Sequence, residues 1–254
     1  MFKCSQLTNA GIASALCERP TLRSLSFTDY FDQDCAMLFA FIRNCPSLSE
    51  IKLEFKCMSV ESLENSSSLV DFVASPQLKS LGLIQNYWLS NENIEMLSFL
   101  FPNLQLLDLS HSYDISEEGI CQFLRRCSEI RDLNLAYCSR IGLGRMNFEV
   151  PKLEVLNLSH TSVDDETLYA TSKSCCGLLQ LLLENCRNVT GKGVMHVAKN
   201  CMQLTEVNLR HCYNVHADVV DSIIYSRPSL RKIITPPWYS KKRDFIFPST
   251  LKLL

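Results

Sequence analysis

His211 stands beside Cys212, with Cys201 and His196 upstream. Imidazole and thiolate groups at such short range are the donors of a zinc site, and a Cys next to a His is also the pair from which a nucleophile is activated. Asp164, Asp165 and Glu166 form a run of carboxylates of the type that serves acid–base chemistry. Position argues against all three. Adjacent residues on a strand point to opposite sides, which separates His211 from Cys212. The acidic run falls where a helix begins, and the macrodipole favours negative charge there. No Gly-rich phosphate loop, H-E-x-x-H helix or G-x-S-x-G elbow occurs. The sequence therefore predicts no catalytic, metal-binding or cofactor-binding residues, no cofactor, and no enzyme in this chain by itself.

The elements that carry these residues repeat. The pattern L-x-x-L-x-L begins at Leu22, Leu48, Leu78, Leu104, Ile130, Leu153, Leu178 and Leu204, with a degenerate start at Leu230, a period near 26 residues. Six of the nine prolines (Pro20, Pro46, Pro76, Pro102, Pro151 and Pro228) lie two residues before such a start. Proline removes a backbone donor and moves the preceding residue out of the helical region, so it ends one element before the next strand. Each unit reads as strand, turn, helix and stop, with Thr8, Ser90, Ser116, Asp164 and Thr190 placed to cap the helices. One such unit cannot bury its own apolar stripe, so stacked neighbours supply the core.

The expected architecture is an α/β leucine-rich-repeat solenoid, a horseshoe with parallel strands on the concave face and helices on the convex face. It spans residues 1–235 in about nine repeats, the first incomplete, with 236–254 as a C-terminal cap or tail built on Trp238, Phe245, Ile246 and Phe247. The second unit is longer by the Ser-rich stretch 65–68, which predicts a loop. The fifth carries Gly142 and Gly144 where a helix should stand, which predicts an irregular outer segment.

A content of 46% hydrophobic and 20% charged residues supports a packed core, and a formal charge of −2 gives no basic excess for nucleic acid or anionic lipid. No apolar run is long enough for a signal peptide or a membrane span, which predicts a cytoplasmic or nuclear protein whose thirteen cysteines are reduced.

Cysteine occupies two columns. Cys138, Cys186 and Cys212 stand ninth in their repeats, where a short side chain is expected to bond the turn's amides; Cys45, Cys127, Cys175 and Cys201 stand three residues before repeat starts. This pairing, in stretches such as Leu204-Thr-Glu-Val-Asn-Leu-Arg-His-Cys212, resembles the cysteine-containing leucine-rich repeats of F-box proteins, within the ribonuclease-inhibitor-like superfamily, over roughly residues 7–235. The resemblance implies a protein-binding module: the substrate-recognition part of an SCF-type ubiquitin ligase that promotes ubiquitin-dependent protein degradation. In that family an F-box joins the repeats to the Skp adaptor and cullin. This chain has no Leu-Pro pair of the kind that opens an F-box, so adaptor and cullin are expected only through an F-box not present here. The alternatives are an F-box-less relative of the mitotic-exit antagonist type, or a stand-alone adaptor or inhibitor without a ligase link.

With the leucines turned inward, positions three, five, seven and eight of each repeat face the inner curve. Position eight carries a ring in five of eight repeats: Phe55, His111, Tyr137, His160 and His211. Aromatic groups bury much area at little entropic cost. A protein substrate is therefore expected on rungs four to eight, against Asp108, His111, Asn134, Tyr137, Asn157, His160, Asn208, Arg210 and His211.

Overall fold

The computed structural model describes residues 11, 15–16, 18–30, 36–55, 74–86, 89–239 and 252–253. Thr8, the Ser-rich stretch 65–68, and Phe245, Ile246 and Phe247 of the tail lie outside them.

Ten strands form one parallel sheet in chain order: β1 (Ser24–Tyr30), β2 (Glu50–Phe55), β3 (Ser80–Ile84), β4 (Leu106–Asp108), β5 (Asp132–Asn134), β6 (Val155–Asn157), β7 (Gln180–Leu182), β8 (Glu206–Asn208), β9 (Lys232–Ile234) and β10 (Lys252–Leu253). The described helices are α1 (Ala36–Asn44), α2 (Asn91–Leu100), α3 (Glu117–Arg126), α4 (Asp165–Ser174), α5 (Gly191–Asn200) and α6 (Ala217–Ser226). The solenoid is the leucine-rich-repeat horseshoe.

From β3 to β9 the register equals one repeat. Leu81 pairs with Leu107, Leu107 with Leu133, Leu133 with Leu156, Leu156 with Leu181, Leu181 with Val207 and Val207 with Ile233. This row is fully buried, and the helices close over it with Leu97, Phe123, Leu168, Val197 and Ile223. Because strand side chains alternate, the residues flanking each buried leucine face the opposite, inner side of the sheet.

The proline column acts as the sequence predicts. Phe101 and Arg227, each before a proline, end α2 and α6 with φ −125° and ψ 60° and 84°, outside the helical region. At the helix starts, Ser90, Asp164 and Thr190 accept from the amides of Asn93, Thr167 and Lys192. Ser116 differs. It accepts no bond from its own helix, because Asn91 of the preceding repeat takes both its groups: Asn91 Oδ1 accepts the Ser116 amide at 3.0 Å and Asn91 Nδ2 donates to Ser116 Oγ at 2.8 Å.

Between β5 and β6 no helix forms, and Ile141, Leu143, Met146 and Val150 fill the core from turns. At the far end β10 pairs with β9, and Tyr239 donates to Asp221 at 2.7 Å. Trp238 is 39% exposed and stacks on Tyr213 rather than entering the core.

A ring-lined concave face as candidate functional site

After each buried leucine the chain leaves the inner face through a turn. Gln85, His111, Tyr137, His160, Asn185 and His211, the residues at position eight, all have φ between 57° and 62°. The amide at position nine donates to the carbonyl at position six, as from Ser112 to Leu109 at 3.1 Å and Cys138 to Leu135 at 3.2 Å. A closing bond with positive φ at the third residue defines a type II turn. His and Asn tolerate that left-handed geometry better than most residues, which accounts for part of their frequency in the column. The position-eight amide meanwhile continues the sheet: His111, Tyr137 and His160 donate to Ala136, Ser159 and Glu184 on the next rung at 2.9, 2.9 and 2.7 Å.

Position five locks the same turn from the other side. Asp108 Oδ1 accepts the Ser110 amide at 3.0 Å and the Ser110 hydroxyl at 2.7 Å. Asn134, Asn157 and Asn208 accept the amides of Ala136, Ser159 and Arg210 at 3.1, 3.0 and 2.9 Å. These are Asx turns. They commit one oxygen of each residue to the fold and draw position seven inward, so Ser110, Ala136 and Ser159 are buried rather than displayed; Arg210 stays exposed. Asn208 is itself buried, its amide nitrogen 3.4 Å from Glu184 Oε2.

Position nine turns into the core, where its thiols bond turn amides as the sequence suggests, but those of the preceding rung: Ser112 and His111 for Cys138, Thr161 and His160 for Cys186, and Cys186 for Cys212. Cys138, Cys186 and Cys212 also donate to the carbonyls of Leu109, Leu158 and Leu183 on that rung at 3.2, 3.1 and 2.9 Å. The second column does the same at the helix ends: Cys127 and Cys201 point at the Phe101 and Cys175 carbonyls at 3.7 and 3.5 Å. Burial pushes Cys127, Cys175, Cys201 and Cys212 up to about 12 and Cys121 and Cys138 to about 11, far from the thiolate a nucleophile needs.

The four residues of the zinc and nucleophile readings are held apart. Cys212 is buried, while His211 faces the rim with Nδ1 3.2 Å from the Tyr213 hydroxyl. His196 on α5 meets Tyr169 of α4 edge-on at 4.9 Å, and Cys201 caps α5. Among the described residues no three His, Cys, Asp or Glu side chains gather as a metal site.

The rim carries instead a stack of rings. His111 and Tyr137 lie 4.1 Å apart with planes 11° off parallel, and Tyr137 and His160 lie 4.1 Å apart at 9°. Asn185 extends the row, its amide nitrogen 3.1 Å from His160 Nδ1. Desolvation holds His111 below the ordinary histidine range, offset in part by Asp108. His211 belongs to a second group, with Tyr213 and Trp238. Of the residues singled out from the sequence, His111, Tyr137 and His160 form one unit, Arg210 and His211 lie further along, and the four at position five form the floor. The sequence reading gave Trp238 to the cap and missed Tyr113 and Tyr213. Their signal was present as a repeated His-x-Tyr, His111-Ser-Tyr113 and His211-Cys-Tyr213.

No protein-family profile matches the chain. Over 140 residues it is 26% identical to an Arabidopsis thaliana protein named putative F-box/LRR-repeat protein 23, a match that takes in 51% of the chain and 31% of that relative. The chain thus spans about a third of the relative's length. Its fold is similar to a chain in the crystal structure of the Rad7 and Elc1 complex in yeast (TM-score 0.64, 16% identity, 99% of this chain and 72% of that one). It is also similar to a chain in the TLR13–ssRNA13 complex (TM-score 0.51, 16% identity, 92% and 27%).

Proposed function

We propose that this chain, a leucine-rich-repeat solenoid with repeats similar to those of an F-box/LRR-repeat protein, holds a partner protein on its concave face and acts by binding, without a reaction of its own. The observation that carries this is the inner face of the sheet: its core-facing row is covered by helices, whereas no described element covers the inner row, and the rim above it holds ordered rings. Rigid rings and preset turns bind at low entropic cost. Within a full-length protein the partner would be the substrate of an SCF-type ubiquitin ligase, a reading supported by the cysteine columns and by the name of the Arabidopsis relative. A cytoplasmic or nuclear place follows from that role; no helix among the described residues is long and apolar enough to cross a membrane.

The test is affinity capture from a cell extract with the wild-type chain and with a Tyr137→Ala/His160→Ala double variant. Loss of the captured partners with the variant is expected. Undiminished recovery would move the site to the loops or the tail.

A further inference from the structure

Charge is distributed unevenly along the concave floor. From β2 to β5 the inner face displays Glu50, Glu54, Asp108 and Asp132, four carboxylates against the single cation Lys52. The ion pairs found among the described residues all lie elsewhere; on β8 and β9, for contrast, Glu206 is matched by Lys232 at 2.6 Å. Asp132 is held above the usual carboxylate range by burial and by its neighbour Asp108, with no cation acting in the opposite direction. Gly82 on β3 adds shape. It pairs in register with Lys52 on one side and Asp108 on the other, and the Lys52 side chain leans over it, its Cγ 3.2 Å from where a Cβ would stand, so the one cation of the stretch lies towards β3.

The rim beside this floor is built of donors. Both faces of Tyr137 are covered by imidazoles, so the stack presents edges to a ligand rather than faces. Tyr137, 39% exposed, carries a hydroxyl able to donate, and His160 beside it is part-exposed. Donors on the rim and carboxylates on the floor are complementary to an extended polypeptide that offers carbonyls upward and cationic side chains downward. A nucleic acid strand would meet the carboxylates with its phosphates.

We infer that the stretch of the concave face from β2 to β5 takes an extended segment of the partner protein that carries arginine or lysine, with a cationic side chain seated by Asp108 and Asp132 on the adjacent strands β4 and β5. This rests on the concave-face reading above and gives its occupant a chemistry.

The probe is a set of fluorescein-labelled ten-residue peptides in which glycine alternates with arginine, glutamine or glutamate, followed by anisotropy at about 0.15 M ionic strength, where the screening length is about 8 Å. The arginine peptide should bind and the other two should not. Asp132→Asn should weaken binding at least about fivefold, whereas Glu118→Gln, which removes the same charge from exposed helix α3, should change it less than about twofold, since a distant exposed charge is screened. Asp108→Asn, which keeps the oxygen that accepts the Ser110 amide, is the second floor variant should Asp132→Asn melt early. Equal weakening by Glu118→Gln would mean diffuse attraction and overturn the inference, as would absence of binding or equal binding of the glutamine peptide. The two readings fail separately: if captured partners are lost with Tyr137→Ala/His160→Ala but kept with Asp132→Asn, the concave face stands and the basic segment falls. If both variants keep them, the concave face itself falls.

Discussion

Tyr137 lies between His111 and His160 at 4.1 Å from each, so a residue 39% exposed to solvent is nonetheless packed on both faces. The stack links three successive repeats outside the core. Stacked rings contribute about 0.5–1.5 kcal/mol per pair, and with the edges in water Tyr137→Ala should cost about 1–2 kcal/mol of stability without unfolding the solenoid. Urea denaturation measures it. A cost below about 0.3 kcal/mol, the scale of an inert surface change, would show that the rings do not hold one another.

The thirteen cysteines should all titrate as free thiols in denatured, non-reduced protein. In the native state Cys176, the exposed one among the described cysteines, should react fast, and the buried ones slowly. Native disulfides or stoichiometric zinc would contradict the role of the two columns as links from one repeat to the next.

Those thiols also set an alkaline limit. Their folded values, up to about 12 for Cys127, Cys175, Cys201 and Cys212, lie above the ordinary 9.0, so the folded state keeps protons that the unfolded chain releases. Their contribution is complete below about pH 9 and is lost as pH rises from there towards 12. Stability measured by urea midpoint should be level from pH 7 to 8.5 and fall steeply above 9; a midpoint unchanged at pH 10.5 would contradict it.

On the convex side Asp165 accepts the Thr190 amide at 2.8 Å and its hydroxyl at 2.6 Å, tying the start of α5 to the first turn of α4. Gly193 is part of the same joint, because a Cβ there would collide with the Asp165 carboxylate and backbone. Gly→Ala inside a helix ordinarily gains up to about 1 kcal/mol. At Gly193 the sign should reverse, with a loss of about 1–3 kcal/mol from overpacking. Gly144→Ala, where the nearest atom would be 4.0 Å away, is the control and should be near neutral. Equal melting temperatures for both variants would count against this account of the joint.

Much of this was legible in the sequence because a repeat makes one pattern speak many times. The L-x-x-L-x-L frame and the proline column locate β3 to β9, and Gly142 and Gly144 mark the unit without a helix. The site was legible only by column. Position eight stood out through its rings, yet six positive φ values give the same column a backbone duty that residue type alone does not separate from binding. Position seven was read as displayed, since its inward pull comes from the Asx bond made by position five. The thiols of position nine bond turn amides as their column suggests, but on the preceding rung, and the carbonyl 29 residues earlier that they also reach is adjacent only once the repeats stack.

The most direct measurement of the central claim places a photo-reactive benzophenone side chain at single positions of the chain. Val155 and Leu182 face the inner side of β6 and β7 and have no part in the Asx turns; Glu118 and Lys199 are exposed on the convex helices α3 and α5. After irradiation in a cell extract, the account predicts a covalent adduct with the same partner protein from Val155 and Leu182 and none from Glu118 or Lys199. Adducts from the convex positions, with none from the concave ones, would contradict it.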